Sequence, residues 1–320
     1  MFRFTRSRDI RAPNLGDLFN AGAAGTSNMF DPFTNSSRQV ISVVSGNPNL
    51  QPEEADTTGL GIVLTPSFLP GFAMSVDYYN IKIKDAISSL PSQQYVTRCY
   101  AGQTALCNFI HRDADGFIEL VNVQPANILA QNASGFDVEM SYRFPLSGLV
   151  SSWRGDLSLR AMATIVDTLE TIDSTTVIDG AGQIGGFGIL AGNLHTPDLR
   201  YIGMATYSYG PASATLSMRG TGSVVYNNAF VECTSSCPAS TATNPTIDNN
   251  HVDSVAYYDL AFNYKYFEDR AEFFVVLENL MDKDPPAIAG PRGDGFYSGQ
   301  ANVNYDRLGR IYRAGVRLKF

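Results

Sequence analysis

The chain has 320 residues, room for one large all-β unit or two ordinary domains. Charged residues are only 17%, against roughly 25% in soluble domains, while the hydrophobic share is an ordinary 44%. The net charge of −8 argues against a nucleic-acid partner, which needs a basic face, and no run approaches the ~18 apolar residues of a membrane helix.

In chain order, the first element is Met1-Phe2-Arg3-Phe4-Thr5-Arg6, which reads as the end of a strand near 1–7. No export signal precedes it, so Met1 reads as an artificial or mispredicted start and the chain as a fragment. A long polar stretch, 8–53, follows. At its start Arg6, Arg8, Asp9 and Arg11 stand where strand meets loop, either as ordinary solvated charges or facing an anionic ligand such as an iron chelate. Strands are expected near 54–65 and 72–84, joined by Ser67-Phe-Leu-Pro-Gly71. The apolar phase switches at Tyr78-Tyr79, so the second strand either bulges there or leaves the bilayer.

The polar stretch 85–123 carries Cys99, Cys107, His111 and the acidic run 113–115. Next come strands near 124–144 and 155–168, joined through 145–155. In 136–144, Phe136, Val138, Met140, Tyr142 and Phe144 oppose Asp137, Glu139, Ser141 and Arg143. In 156–165, Leu157, Leu159, Ala161, Ala163 and Ile165 oppose Asp156, Ser158, Arg160 and Thr164. The stretch 169–197 holds His195 and Gly180-Ala-Gly-Gln-Ile-Gly-Gly-Phe-Gly188, which lacks the ending of a phosphate loop and reads as a mobile loop.

Strands near 198–209 and 213–225 follow, with the turn Gly210-Pro-Ala212 between them. Ala212, Ala214, Leu216 and Met218 oppose Ser213, Thr215, Ser217 and Arg219. The polar stretch 226–252 carries Cys233, Cys237 and His251. Strands near 254–267 and 271–280 flank the turn 267–270. The first sets Tyr258, Leu260, Phe262, Tyr264 and Tyr266 against Asp259, Asn263 and Lys265; the second is apolar in both phases and its faces stay open. After 281–304, a last strand near 306–320 sets Tyr312, Ala314, Val316, Leu318 and Phe320 against Arg313, Gly315, Arg317 and Lys319.

Period-two alternation gives each strand one greasy and one wet face. Charges lie mid-strand on the wet face, aromatic residues gather at the ends of the greasy face, and short connections alternate with long ones. That is the rhythm of a membrane barrel, with short periplasmic turns and long extracellular loops. The lumen-facing candidates are Arg143, Arg160, Arg219, Arg313, Arg317, Asp137, Glu139 and Asp259. They bond across strands or to a plug, or line the path of a substrate.

Each close cysteine pair reads as a local disulfide outside the cell, Cys99–Cys107 and Cys233–Cys237. Free buried thiols or zinc are the weaker readings, since neither pair has tetrahedral partners nearby. The three histidines are isolated in loops, and no signature of a catalytic or metal site appears. No cofactor and no enzymatic activity are expected.

Several signatures resemble the C-terminal barrel of TonB-dependent receptors. Ser7-Arg8-Asp9-Ile10-Arg11-Ala12-Pro13 resembles that family's S-R-x-x-R-A-P segment. Gly46-Asn-Pro-Asn-Leu-Gln-Pro-Glu53 resembles G-N-P-x-L-x-P-E, and Asp77-Tyr-Tyr-Asn-Ile-Lys-Ile-Lys-Asp-Ala-Ile87 resembles D-Y-Y-x-I-x-I-x-D-x-I. Gly135-Phe-Asp-Val-Glu139 and Asn279-Leu-Met-Asp-Lys283 follow in the family's order, and the chain ends in Phe320, as most such barrels do.

The resemblance implies an all-β, antiparallel transmembrane β-barrel, of which residues 1–320 supply about ten of 22 strands. The N-terminal plug, its TonB box and the first strands are expected to lie outside the chain. It implies energy-coupled uptake of a scarce nutrient across the bacterial outer membrane: a ferric siderophore, haem, cobalamin or an oligosaccharide. The implied partners are the TonB–ExbB–ExbD complex, acting through the plug, and outer-membrane lipid. The barrel-assembly machinery would read Tyr312, Val316, Leu318 and Phe320. The rivals are a passive porin, without a plug, and a soluble β-sandwich or propeller that binds glycans.

Overall fold

The computed structural model describes residues 1–173, 176–185, 195–241, 244–267, 270–286 and 305–319. Ten long strands follow the alternating segments: β1 (Phe2–Arg11), β2 (Glu53–Leu64), β3 (Phe72–Ser88), β4 (Ala126–Pro145), β5 (Asp156–Ile172), β6 (Leu199–Tyr209), β7 (Ala212–Thr221), β8 (Val255–Tyr266), β9 (Ala271–Glu278) and β10 (Ile311–Leu318). Each pairs antiparallel with its neighbour in sequence, forming a single meander with β1 and β10 at its edges. A short piece, Val177–Asp179, pairs with the far end of β5. Among the described residues no helix is long and apolar enough to cross a membrane; strands are not bound by that criterion.

Directly opposed residues of a sheet share a face, so the register sorts every side chain. One row runs Phe72–Tyr142–Leu159–Ala205–Leu216–Leu260–Leu277–Tyr312 across β3 to β10, with no polar side chain except two phenols. One residue along, the opposite face runs Ser141–Arg160–Met204–Ser217–Asp259. The apolar row is not covered: Leu216 is 44% exposed and Tyr312 66%. Tyr142, Phe144, Tyr207, Tyr209, Tyr264, Tyr266 and Phe273 gather on this face at the short-turn end.

The two unresolved strands now have faces. Phe273, Val275 and Leu277 oppose Tyr264, Phe262 and Leu260 and are apolar-face residues. Phe274 lies on the polar face and fits there because Gly315 opposes it; a Cβ on Gly315 would stand 2.7 Å from the ring. In β3 the register passes Tyr78-Tyr79 without a bulge, the irregularity coming only after Ile83. Beyond Tyr78 the formerly apolar face carries Asn80, Lys82 and Lys84, while Ile81, Ile83 and Ala86 turn to the other. The strand therefore keeps its pleat and changes surroundings.

The hydrophobic cores lie at the long-connection end, which corrects the reading of 8–53 and 85–123 as plain loops. Strands Ala23–Asp31, Ser36–Val44, Ile118–Val123 and Ile110–Arg112 pair in that order as a four-stranded sheet. With α2 (Ser92–Tyr100) they bury Met29, Val40, Tyr95, Val96 and Val121 over the ends of β3 and β4, where Ala86 and Leu129 join the cluster. This cap is invisible to local periodicity because its central pairing is parallel and joins residues 41–44 to 120–123. A second cluster gathers Ile184, Val224, Val252, Val255, Tyr257 and Tyr305. It corrects the mobile reading of the Gly-rich stretch: Gln183 and Ile184 are 1% and 2% exposed, and Gln183 bridges to Val225. Residues 186–188 of that stretch lie outside the described residues.

Candidate functional site

The polar face of the ten strands is a ladder of ion pairs. Every charged group proposed for it from sequence is there, with a partner supplied by a neighbouring strand or connection. Arg160 donates to Glu139 at 2.7 Å, and the Thr164 hydroxyl donates to Asp137 at 2.7 Å. Arg143 reaches Asp156 at 3.4 Å, Arg313 pairs with Glu278 at 2.6 Å, and Arg317 with Glu272 at 2.8 Å. Arg219 holds Asp259 at 3.1 Å and Asp306 at 2.7 Å, with its guanidinium 4.9 Å above the Tyr257 ring. Arg3 and Asp77, overlooked from sequence, form a further pair at 2.6 Å. Alternation marked which residues share the face; the partners depend on cross-strand register, which no local window contains. Ion pairs this exposed add little stability, so the ladder sets register and leaves few free charges along the wall.

Arg6, Arg8, Asp9 and Arg11 do not act together. Arg6 and Arg8 share the face of Phe2 and Phe4, whereas Asp9 and Arg11 share that of Arg3. Arg8 makes a bidentate pair with Asp56 at 2.9 Å, and Arg11 one with Glu53 at 2.6 Å. Alternation sends Arg6 and Arg8 out on the apolar side, so the four do not converge on one anion, and the exposed arginines Arg6, Arg8 and Arg11 fit the ordinary reading of solvated rim charges.

The motif residues at this rim fasten strands to one another. Asn14 caps α1 (Leu15–Phe19) in a reciprocal box with Asp17. Gly46 lies against that helix, where a Cβ would meet the backbone of Leu18 and Asn20 at 2.6 Å. Asn47 donates to Pro125 O, Gln51 and Asn127 bond reciprocally, and Glu53 also accepts the Ile87 N–H at 2.6 Å. In the motif of 279–283, Asn279 has φ +50°, is fully buried, and its side chain both donates to Lys283 O and accepts from Lys283 N. It closes a turn that only a left-handed-tolerant residue with an amide fills well.

The cap is tied by charge as well as by its core. Arg112 grips Asp31 at 2.5 and 3.0 Å. Burial alone would push the Asp31 carboxyl up, but the Arg112 guanidinium, the Phe33 N–H and the Thr34 hydroxyl outweigh it and hold the pKa below the usual carboxylate range. Arg98 of α2 pairs with Asp173 at 2.5 Å, both side chains nearly buried. The Cys99 and Cys107 sulfurs are bonded, joining α2 to the 3-10 turn Thr104–Phe109, and Cys233 is bonded to Cys237. His111 and His251 sit in short strands rather than bare loops, bonded to Asn122 and paired with Asp253 respectively. Among the described residues no group of three His, Cys, Asp or Glu side chains is arranged to hold a metal.

A family model described as TonB dependent receptor-like, beta-barrel matches residues 1–280. No curated protein matches the chain. Among solved structures, the siderophore receptor PirA from Acinetobacter baumannii is similar at a TM-score of 0.60 and 15% identity, covering 100% of this chain and 39% of its own. A mutant of the ferric enterobactin receptor PfeA from Pseudomonas aeruginosa is similar at 0.63 and 15%, covering 100% and 38%. The FrpB iron transporter from Neisseria meningitidis is similar at 0.52 and 13%, covering 86% and 32%. At these identities the likeness concerns the fold, and the chain spans about two fifths of the length of the first two structures.

Proposed function

The chain belongs to the TonB-dependent receptor-like β-barrel family, and from that premise we propose that it is wall and outer rim of an outer-membrane importer driven by an energy-coupling complex. One observation carries the membrane part: a sheet of ten strands bears an uncovered apolar face, backed by a face of paired charges. In water such a face exceeds the few hundred Å² a soluble monomer exposes; in lipid it is the outer surface of the barrel. The paired face is then the lumen, lined but chemically quiet. Transport here needs no catalytic group, because the work comes from a conformational change that a second protein drives.

The energy source is the TonB–ExbB–ExbD complex acting on a plug supplied elsewhere in the longer protein. The two disulfides then form in the oxidising space outside the cell. The similar structures named above are described as a siderophore receptor, a ferric enterobactin receptor and an iron transporter. A ferric siderophore is therefore the first ligand to try, with haem, cobalamin and oligosaccharide as the others. The test is uptake of radiolabelled ferric siderophore by cells making the full-length protein. Accumulation that disappears with a protonophore or without TonB supports energised import. Uptake that persists under both treatments would favour the passive porin.

A further inference from the structure

We infer that the connection between β5 and β6 is a strap that joins the cap and the second cluster into one cooperative unit, so that loosening either loosens both. The inference rests on the fold and not on what the barrel imports.

Five long connections leave this end of the sheet, and they divide by the core they enter. The β1–β2 and β3–β4 connections build the cap around Met29, Val40, Tyr95, Val96 and Val121. The β7–β8 and β9–β10 connections bring Val224, Val252 and Tyr305 to the second cluster. Among the described residues only the β5–β6 connection enters both. Ile178 packs against the cap core, and Ile184 is 2% exposed within the second cluster.

At the cap the strap is held by charge and by sheet. Asp173 takes the guanidinium of Arg98 from α2, their side chains 2% and 11% exposed. Val177–Asp179 pairs with the end of β5, which sets Ile178 opposite the fully buried Thr171. At the second cluster it is held by backbone. The Val225 N–H donates to Gly182 O, the Ile184 N–H to Val225 O and the Gly185 N–H to Tyr226 O, at 2.7–3.1 Å. Asn228 closes the join: its side chain donates to the carbonyls of Asp179 and Ala181, both at 3.0 Å, and its N–H donates to the buried Gln183 side chain at 2.8 Å. Arg219 ties in the last connection through Asp306.

Little slack lies between the two ends. The Asp179 carboxylate accepts the N–H groups of Leu169 and Ala181, the Gly180 N–H donates to Leu169 O, and the Gly182 N–H donates to Thr196 O. Six extended residues span at most about 20 Å, and these bonds fix that length against β5 and the segment entering β6. A displacement at one end is therefore passed to the other. Packed cores switch between discrete arrangements rather than deform continuously, and segments that share contacts open together as local units. Opening the cap takes Arg98 from a nearly buried carboxylate, a costly state that is relieved when the strap leaves its seat. Leaving that seat pulls on Gly182 and Ile184. A molecule that settles on one of the two clusters then steadies the other without touching it.

The test is hydrogen exchange of the full-length protein in detergent, read by mass spectrometry in peptides that contain 118–123 of the cap and 224–226 or 251–252 of the second cluster. Arg98→Gln alters the cap end of the strap. It should quicken exchange in both places, by about fivefold or more at 224–226, the lower end of ordinary coupling between sites, while β7 and β8 stay as slow as before. Asn228→Ala cuts the join at the other end, and in that background Arg98→Gln should quicken the cap alone. Quickening of the cap with 224–226 unchanged overturns the inference, as does the same quickening of 224–226 with and without Asn228. Unchanged exchange in both places overturns it too, because the pair then holds nothing. Should Arg98→Gln fail to give a heat-modifiable barrel, Arg98→Lys carries the comparison. A smaller quickening shared by both places supports the strap, and one confined to the cap overturns it.

Discussion

Side chains were legible in this sequence to the extent that their roles depend on parity. Whether Arg160 or Leu159 faces the charged side follows from counting by twos. That Arg160 meets Glu139, or Arg219 meets Asp306 across 87 positions, does not. Gly315 is a case in point, since its requirement comes from a ring on another strand. Gly315→Ala places a methyl group against Phe274 and should lower stability by about 1–3 kcal/mol, the range for overpacking. Phe274→Leu in the same protein should recover most of the loss, because the nearest atoms are those of that ring. The two temperatures of heat-induced gel shift measure both.

Asp31 gives a pH signature. Its folded pKa is depressed, so the stability it contributes is present above the unfolded value and is lost as pH falls through the folded value. Amide-exchange protection of the cap should therefore weaken below about pH 4, the unperturbed carboxylate value. Asp31→Asn should flatten that fall and lower protection at neutral pH by about 2–3 kcal/mol, since Arg112 loses its partner but keeps some water. Unchanged protection in the variant would show that the pair is incidental.

Elements separate into two kinds. Most wall strands were legible because each crosses a boundary between two environments and must alternate; β9, apolar in both phases, has its faces set only by its pairing with β8. The cap strands were not: Ala23–Asp31 buries only Met29 and Asp31, too sparse a pattern to read as a face. β7 tests the wall directly. Leu216 lies on the apolar face, and Ser217 opposes Asp259 on the other. Leu216→Arg should destabilise assembly by about 2–4 kcal/mol, while Ser217→Arg should be tolerated. Leu216→Trp distinguishes lipid from a protein core, because a bulky ring facing lipid overpacks nothing, whereas in a core it costs about 1–3 kcal/mol. Barrel yield in the membrane fraction, harmed by arginine and spared by tryptophan, is the expected pattern.

At the scale of the molecule, one sheet has two incompatible faces and a folded cap at one end. The family was legible because its signatures fasten the rim: Arg11 to Glu53, Gly46 to α1, Asn279 to Lys283. They report the architecture and say nothing of the ligand. The terminal stripe Tyr312, Val316 and Leu318 is exposed on the apolar face of β10; Phe320 lies outside the described residues. Deleting Phe320 from the full-length protein should block membrane insertion, if assembly machinery reads that stripe. A normal heat-modifiable barrel in the deletion strain would rule this out.

The central claim is that the apolar face meets hydrocarbon. Spin labels placed singly at 212–219, in the full-length protein reconstituted in lipid, test it through collisions with dissolved oxygen and with a polar nickel chelate. Oxygen accessibility should peak at 212, 214, 216 and 218 and dip at the positions between, with the nickel profile in the opposite phase. A profile without period two, or one with the chelate favoured at 216, would contradict the account.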